Sequence, residues 1–362
     1  MKHLLNYIRH QPLAILILAL PLAILSNAGQ WGEVWVFTFA TLAVVPMAQY
    51  IGEGTEVLAD YTGPRLGGLL NATLGNAAEL IITIVAIRAG LLELVKASIT
   101  GSILGNLLFV MGMSMALGGI RHGVQTFNRQ HATRNAVLLI LTVLILSIPS
   151  LLSHSIGEDT DPRVETLSLG VAGVMIVLYG LALLYSFKAS GAPLAHKPAK
   201  PLENAKWPLR TAIIILALAT FGVVIASELL VGAVEPVVQR LGISEFFLGI
   251  ILIPIVGNVA EHLVAVQFAL RKQMELSVEI AIASSLQVAL FVAPVLVFVS
   301  LLFGHPLQLI FNKIEILALG AGVLITALVS ADGESNWLEG IELLAVYLIL
   351  SMAFFLMPVV SH

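Results

Sequence analysis

Apolar runs long enough to cross a bilayer follow one another through most of the chain, separated by short polar stretches. Eleven stand out, at about 12–28, 32–54, 66–88, 97–118, 134–153, 165–187, 209–234, 245–270, 276–302, 313–330 and 337–358. The pattern predicts an all-α, polytopic membrane protein with about 11 transmembrane helices. Polar residues inside the runs are few, and they repeat. Gly75-Asn76-Ala77-Ala78-Glu79 in the third run is matched by Gly257-Asn258-Val259-Ala260-Glu261 in the eighth. A carboxylate within a spanning run is costly, and function is the reason to keep one there.

A shift of 182 residues superposes the two motifs and needs no gap for nearly forty positions. Glu93 then falls on Glu275, Ser102 on Ser284 and Phe109 on Phe291. Apolar matches come easily in such a chain, whereas Gly, Asn, Glu and Ser in one frame do not. After the first run each half holds five runs. Five is odd, so the second half is expected to enter the membrane inverted, with one site shared between the halves. The expected division is an extra N-terminal transmembrane helix (1–30), a first five-helix repeat (31–187), a linker (188–208) and a second, inverted repeat (209–362).

Charge orients these runs. With the N-terminus in the cytoplasm, 13 of the 18 Lys and Arg fall on the inside, as cytoplasmic loops require. The polar stretch Lys188 to Arg210, with four prolines, is then a cytoplasmic connector, and the acidic loop Glu158–Asp161 lies outside. Lys2, Arg9 and the apolar run Leu13–Leu25 resemble a signal peptide. The topology works with that helix in place, so it is expected to be retained.

Composition narrows the chemistry. The chain is 58% hydrophobic and 11% charged, which leaves little for a soluble domain. Basic residues are scattered through loops, so no nucleic-acid partner is expected, and membrane lipid is the expected surroundings. There is no cysteine, which excludes disulfides, thiolate metal sites and cysteine nucleophiles. No HExxH or GxSxG element occurs, and an enzyme is not expected. Any bound metal would meet oxygen or imidazole, and oxygen favours hard cations such as Ca²⁺ or Mg²⁺.

The motifs suit such a cation. Gly75 and Gly257 permit an unwound turn that frees backbone carbonyls, and Pro254 removes a donor just before the second. Asn76 and Glu79 are three apart and share a helix face, as do Asn258 and Glu261. Two Glu, two Asn and several carbonyls can supply the 6–8 oxygens typical of Ca²⁺. The neighbouring runs add Ser102 and Asn106 on one side, and Ser284, Ser285 and Gln287 on the other. Ser102 and Ser284 read either as ion contacts or as hydrogen bonds between helices. His262 points about 100° away from Glu261 and reads as a proton relay or as filler of a polar pocket. Glu56, with Glu53 and Asp60, and its counterpart Glu228 read either as vestibule charges or as interfacial ones.

On these motifs the chain resembles the cation/proton exchanger (CAX) family of the cation/Ca²⁺ exchanger (CaCA) superfamily, calcium/proton antiporters. The resemblance rests on Gly-Asn-Ala-Ala-Glu-Leu and Gly-Ser-Ile-Leu-Gly-Asn in the first half, and on Gly-Asn-Val-Ala-Glu-His and Ser-Ser-Leu-Gln in the second. It implies that Glu79 and Glu261 are the central acidic ligands, with Asn76, Asn258, Ser102, Ser284 and Gln287 along the pathway. Many relatives carry Thr where this chain has Ala78, which removes one hydroxyl.

The expectation is therefore a secondary antiporter exchanging cytoplasmic Ca²⁺ for H⁺ by alternating access at a midplane two-glutamate site. No cofactor is expected beyond the transported Ca²⁺ and H⁺, and a homo-oligomer is left open. A prokaryotic cell membrane is the expected location, with a vacuolar-type membrane as the alternative. A Na⁺/Ca²⁺ or K⁺-linked exchanger of the same fold is the second reading, and a cation channel the third.

Overall fold

The computed structural model describes residues 12–157, 161–188 and 207–357. The Lys188–Arg210 connector and the acidic loop lie largely outside these residues, as do Lys2 and Arg9. A short 3₁₀ turn, Pro12–Leu18, leads into α1 (Ala19–Ala28). Then follow α2 (Glu33–Leu74), α3 (Ala77–Arg88), α4 (Leu92–Leu104), α5 (Met111–His122), α6 (Arg129–Ile156) and α7 (Pro162–Lys188). The second half holds α8 (Leu209–Gly232), α9 (Val234–Leu241), α10 (Glu245–Phe247), α11 (Ile253–Gly257), α12 (Val259–Leu270), α13 (Met274–Gln287), α14 (Ala293–Ser300), α15 (Lys313–Val329) and α16 (Trp337–Phe355). A two-residue antiparallel ribbon, β1 (Gln125–Thr126) with β2 (Glu334–Ser335), ties the loop after α5 to the start of α16.

Helix ends follow local chemistry. Asn312 and Asn336 each cap a helix, with Glu315 and Glu339 returning the bond three residues on. Asp161 accepts from the Arg163 N–H at 2.8 Å and opens α7 just before Pro162. Hydrogen bonds from Arg163 hold the Asp161 carboxyl below its ordinary range.

Among the described residues, seven helices are long and apolar enough to cross a membrane. The other four expected runs are short or broken, and the reasons are local. The third run is joined to the second, because α2 continues through residues 54–66 where a loop was expected. It bends at Gly63 (φ 80°, ψ 173°), a conformation that glycine adopts readily. Glu53, Glu56 and Asp60 therefore stand on helix. The run then breaks at Gly75-Asn76, and the eighth breaks at Gly257-Asn258. The first and tenth are short, at Ile15–Ala28 and Lys313–Val329.

The 182-residue frame reappears in the backbone. α3 and α12 start and end at equivalent residues (77 and 259, 88 and 270), and α4 and α13 start at 92 and 274. A π-helical turn follows each of the latter, at Gly105–Val110 and Val288–Val292. A third π-turn, Leu248–Leu252, precedes α11 and has no equivalent in the first half.

Burial sorts the helices. In an 18-residue apolar stretch of the continuous helix Leu92–His122, 78% is buried, against 28% in Pro162–Tyr185 and 17% in Trp337–Phe355. Outer helices expose Leu181, Leu218, Leu317 and Leu348, the arrangement expected when the surrounding solvent is hydrocarbon. Inside, α2 lies along α8, with α1 against α2, while α3, α4, α12 and α13 gather around the two breaks.

Candidate ion-binding site

The two broken helices meet break to carboxylate. Glu79 follows the first break and is fully buried. Gly257 faces it: a Cβ on Gly257 would sit 3.7 Å from the Glu79 Cβ. The reverse contact is closer. A Cβ on Gly75 would lie 3.3 Å from Glu261 Oε1. Gly75 thus leaves room for the carboxylate of the other half, and Gly257 lies in ordinary contact with the Glu79 main chain and Cβ. Unwinding at Asn76 (φ −95°, ψ 15°) and Asn258 (φ −109°, ψ 12°) restarts each helix with its glutamate in the first turn. There the positive end of the helix dipole favours a negative group.

The polar side chains form three hydrogen-bonded groups around the breaks. Ser102 Oγ donates to Glu79 Oε1 at 2.5 Å. Asn258 Nδ2 lies 3.4 Å from Ser102 Oγ, 3.5 Å from Glu79 Oε2 and 3.2 Å from the Pro254 carbonyl oxygen. Asn76 Nδ2 donates to Gln287 Oε1 at 2.8 Å. Asn106 Nδ2 donates to Ser284 Oγ at 3.0 Å. The amide N–H groups are therefore occupied, while Asn76 Oδ1, Asn258 Oδ1 and Glu261 Oε2 are buried with no hydrogen-bond partner. Buried oxygens are normally satisfied, and orphans require an explanation. Acceptors without donors, beside two carboxylates, are the donor set of a hard cation. Among the described residues no group of three or more His, Cys, Asp or Glu could hold a metal, so amide and hydroxyl oxygens must complete any such shell.

Not every residue singled out from the sequence joins this set. Ser285 Oγ bonds the Ala281 carbonyl at 2.9 Å, within its own helix. His262 packs its ring edge-on against Phe109, with centroids 6.3 Å apart. Glu228 is ion-paired to Arg88 at 2.5 Å, at the end of α3. Arg88 is nine residues beyond Glu79, about 13 Å along the helix. Glu56 is exposed on α2.

One buried carboxylate lies outside the motifs. Glu315, 1% exposed, accepts from Thr100 Oγ1 at 3.0 Å and from the Asn312 N–H at 2.8 Å. It closes the cap of α15 and pins α4 two residues from Ser102. The spacing Asn312-x-x-Glu315 is a legible capping signal, but its reach to Thr100 is not.

A bundle of apolar helices with two broken, carboxylate-bearing helices in one frame is the build of a duplicated membrane cation transporter. The chain belongs to the sodium/calcium exchanger protein family, whose model matches residues 32–188 and 211–356. It is 43% identical to the Ca(2+)/H(+) antiporter of Aphanothece halophytica, over 96% of this chain and 97% of that one. It is 42% identical to the Ca(2+)/H(+) antiporter of Synechocystis sp., over 95% and 97%. The solved structure of native YfkE, 39% identical, superposes with a TM-score of 0.83 over 95% of this chain and all of that one.

Proposed function

We propose that this integral membrane protein is a secondary antiporter exchanging Ca²⁺ for H⁺ at the site between the two breaks. Glu79 and Glu261 are the charged ligands in this reading, and Asn76 and Asn258 supply amide oxygens. The observation that carries it is the trio of buried, unpartnered oxygens at Asn76, Asn258 and Glu261. Both curated relatives named above are Ca²⁺/H⁺ antiporters. Physics gives the reason for exchange rather than leak. Two carboxylates in a dry site resist being charged together with nothing between them. Ca²⁺ neutralises the pair, and so do protons, so the two halves rock past one another with either cargo but not empty. Ser102, Asn106, Ser284 and Gln287 orient the ligands and line the path. The N-terminus is cytoplasmic in this reading, and Ca²⁺ is taken from that side.

The test is calcium uptake into proteoliposomes driven by an imposed pH gradient, with sodium and potassium absent. Uptake that tracks the gradient is expected. Uptake only with sodium or potassium would favour the cation-linked exchanger instead. Flux far above carrier rates, indifferent to the pH gradient, would indicate a channel.

A further inference from the structure

The two halves share a sequence frame but not a conformation. Leu66-Gly67 and Leu248-Gly249 are equivalent in the 182-residue frame. Leu248 is 5% exposed and its counterpart Leu66 is 60% exposed. Around the site the same inequality holds for the two glycines. Gly257 is buried and Gly75 only partly so, while Glu79 and the Glu261 Oε2 are both buried. Packing is tighter at α4 and the Leu248–Leu252 turn than at the last turns of α2.

Main-chain contact makes the tighter packing. A Cβ on Gly101 of α4 would run into the Ile250 carbonyl oxygen. One on Gly249 would come 2.6 Å from the Leu94 carbonyl oxygen and 2.8 Å from the Ala97 Cβ. The two elements touch backbone to backbone because both residues are glycine. Two side-chain ties cross near the same end. Glu245 Oε1 accepts from the Leu94 N–H at 3.1 Å, and Arg88 pairs with Glu228. The Arg88–Glu228 pair is exposed and contributes little by itself, so the glycine contact dominates.

In the repeat frame Gly101 corresponds to Ala283, and Ile250 to Gly68. A matching contact on the other side would press the Ala283 Cβ against the Gly68 carbonyl, where the first half has only hydrogen. The counterpart seam therefore cannot close as tightly.

We propose that the Gly101–Gly249 seam is the outer gate of the transport cycle, and that Ala283 biases the protein toward the state in which this gate is shut and the inner side is open. The words outer and gate rest on the antiporter reading and its topology; the bias itself is read without any ion flux. Ser98 shares the seam face of α4, four residues after Leu94 and three before Gly101, and is fully buried. Ser98→Cys places one thiol in a chain that has none. In membranes without an ion gradient, a membrane-impermeant maleimide added outside should label it slowly. Gly101→Ala should speed labelling by about tenfold, the effect of ~1.4 kcal/mol on a two-state balance. Ala283→Gly should speed it too, by letting the inner seam close. That variant decides the matter, because Ala283 is not part of the seam and its replacement adds no volume. Unchanged labelling with Ala283→Gly, or acceleration only from the cytoplasmic face, would overturn the proposal. This readout stays interpretable if Gly101→Ala does not insert, and it is unaffected if calcium proves not to be the cargo.

Discussion

At the scale of single residues the site is organised by what each amide leaves over. Asn76 and Asn258 spend their N–H groups on Gln287, Ser102, Glu79 and the Pro254 carbonyl, and leave their oxygens bare. Such a shell depends on charge more than on oxygen count, since a divalent ion must be neutralised. Glu79→Gln and Glu261→Gln should each reduce calcium flux to the level of empty vesicles while the protein still inserts. Near-normal flux in either would remove that glutamate from the mechanism. The sign of the pH dependence follows from linkage. Each carboxyl must release its proton before it can coordinate, so apparent calcium affinity should fall as pH falls. Gln287 carries no titratable group. Gln287→Ala should weaken calcium binding, by freeing Asn76 to turn, and leave the pH slope in place. ⁴⁵Ca²⁺ binding against pH in both proteins measures this, and a flat wild-type profile would mean separate proton and calcium routes.

At the scale of elements, α4 is the helix on which the others depend. Its Leu94–Gly101 stretch touches the Leu248–Leu252 turn through glycine, Ser102 meets Glu79, and Thr100 meets Glu315. Removing the Glu315 carboxylate leaves a buried hydroxyl and a cap N–H unmet. Glu315→Ala should therefore cost about 2–3 kcal/mol of stability. A fall of several degrees in the unfolding midpoint in detergent is expected, with Glu315→Gln falling less because it keeps an acceptor. Equal midpoints for wild type and Glu315→Ala would show that the α4–α15 tie contributes nothing. The broken helices follow a simpler rule. Both break at a Gly-Asn pair, and at Gly75 a Cβ would also press on the Glu261 carboxylate of the other half.

The molecule as a whole is two similar halves held in unlike shapes, with apolar side chains turned outward to lipid. With 13 of 18 basic residues on one side, the N-terminus and the 188–208 connector are expected in the cytoplasm. Single cysteines at Ala195 and Asp159 should then react from opposite faces of the membrane. Reaction from one face would mean that the span count or the inversion is wrong.

Sequence alone determined the class of protein and the positions of its paired motifs. Spanning length, the scarcity of charge, the paired Gly-Asn-x-x-Glu motifs and the 182-residue frame are properties of order along the chain, legible without knowing which helices touch. The helix boundaries at 77 and 259 and at 92 and 274 kept that frame. Tertiary structure decided which polar groups meet. Asn76 with Gln287, Asn106 with Ser284 and Thr100 with Glu315 are far apart in the chain, and no local signal pairs them. It also turned His262 toward Phe109 and tied Glu228 to Arg88, away from the carboxylate pair. The unequal packing of the halves was decided there too. Equivalent sequences can take two conformations, and contact across the bundle, such as Gly101 against the Ile250 main chain, is what separates them.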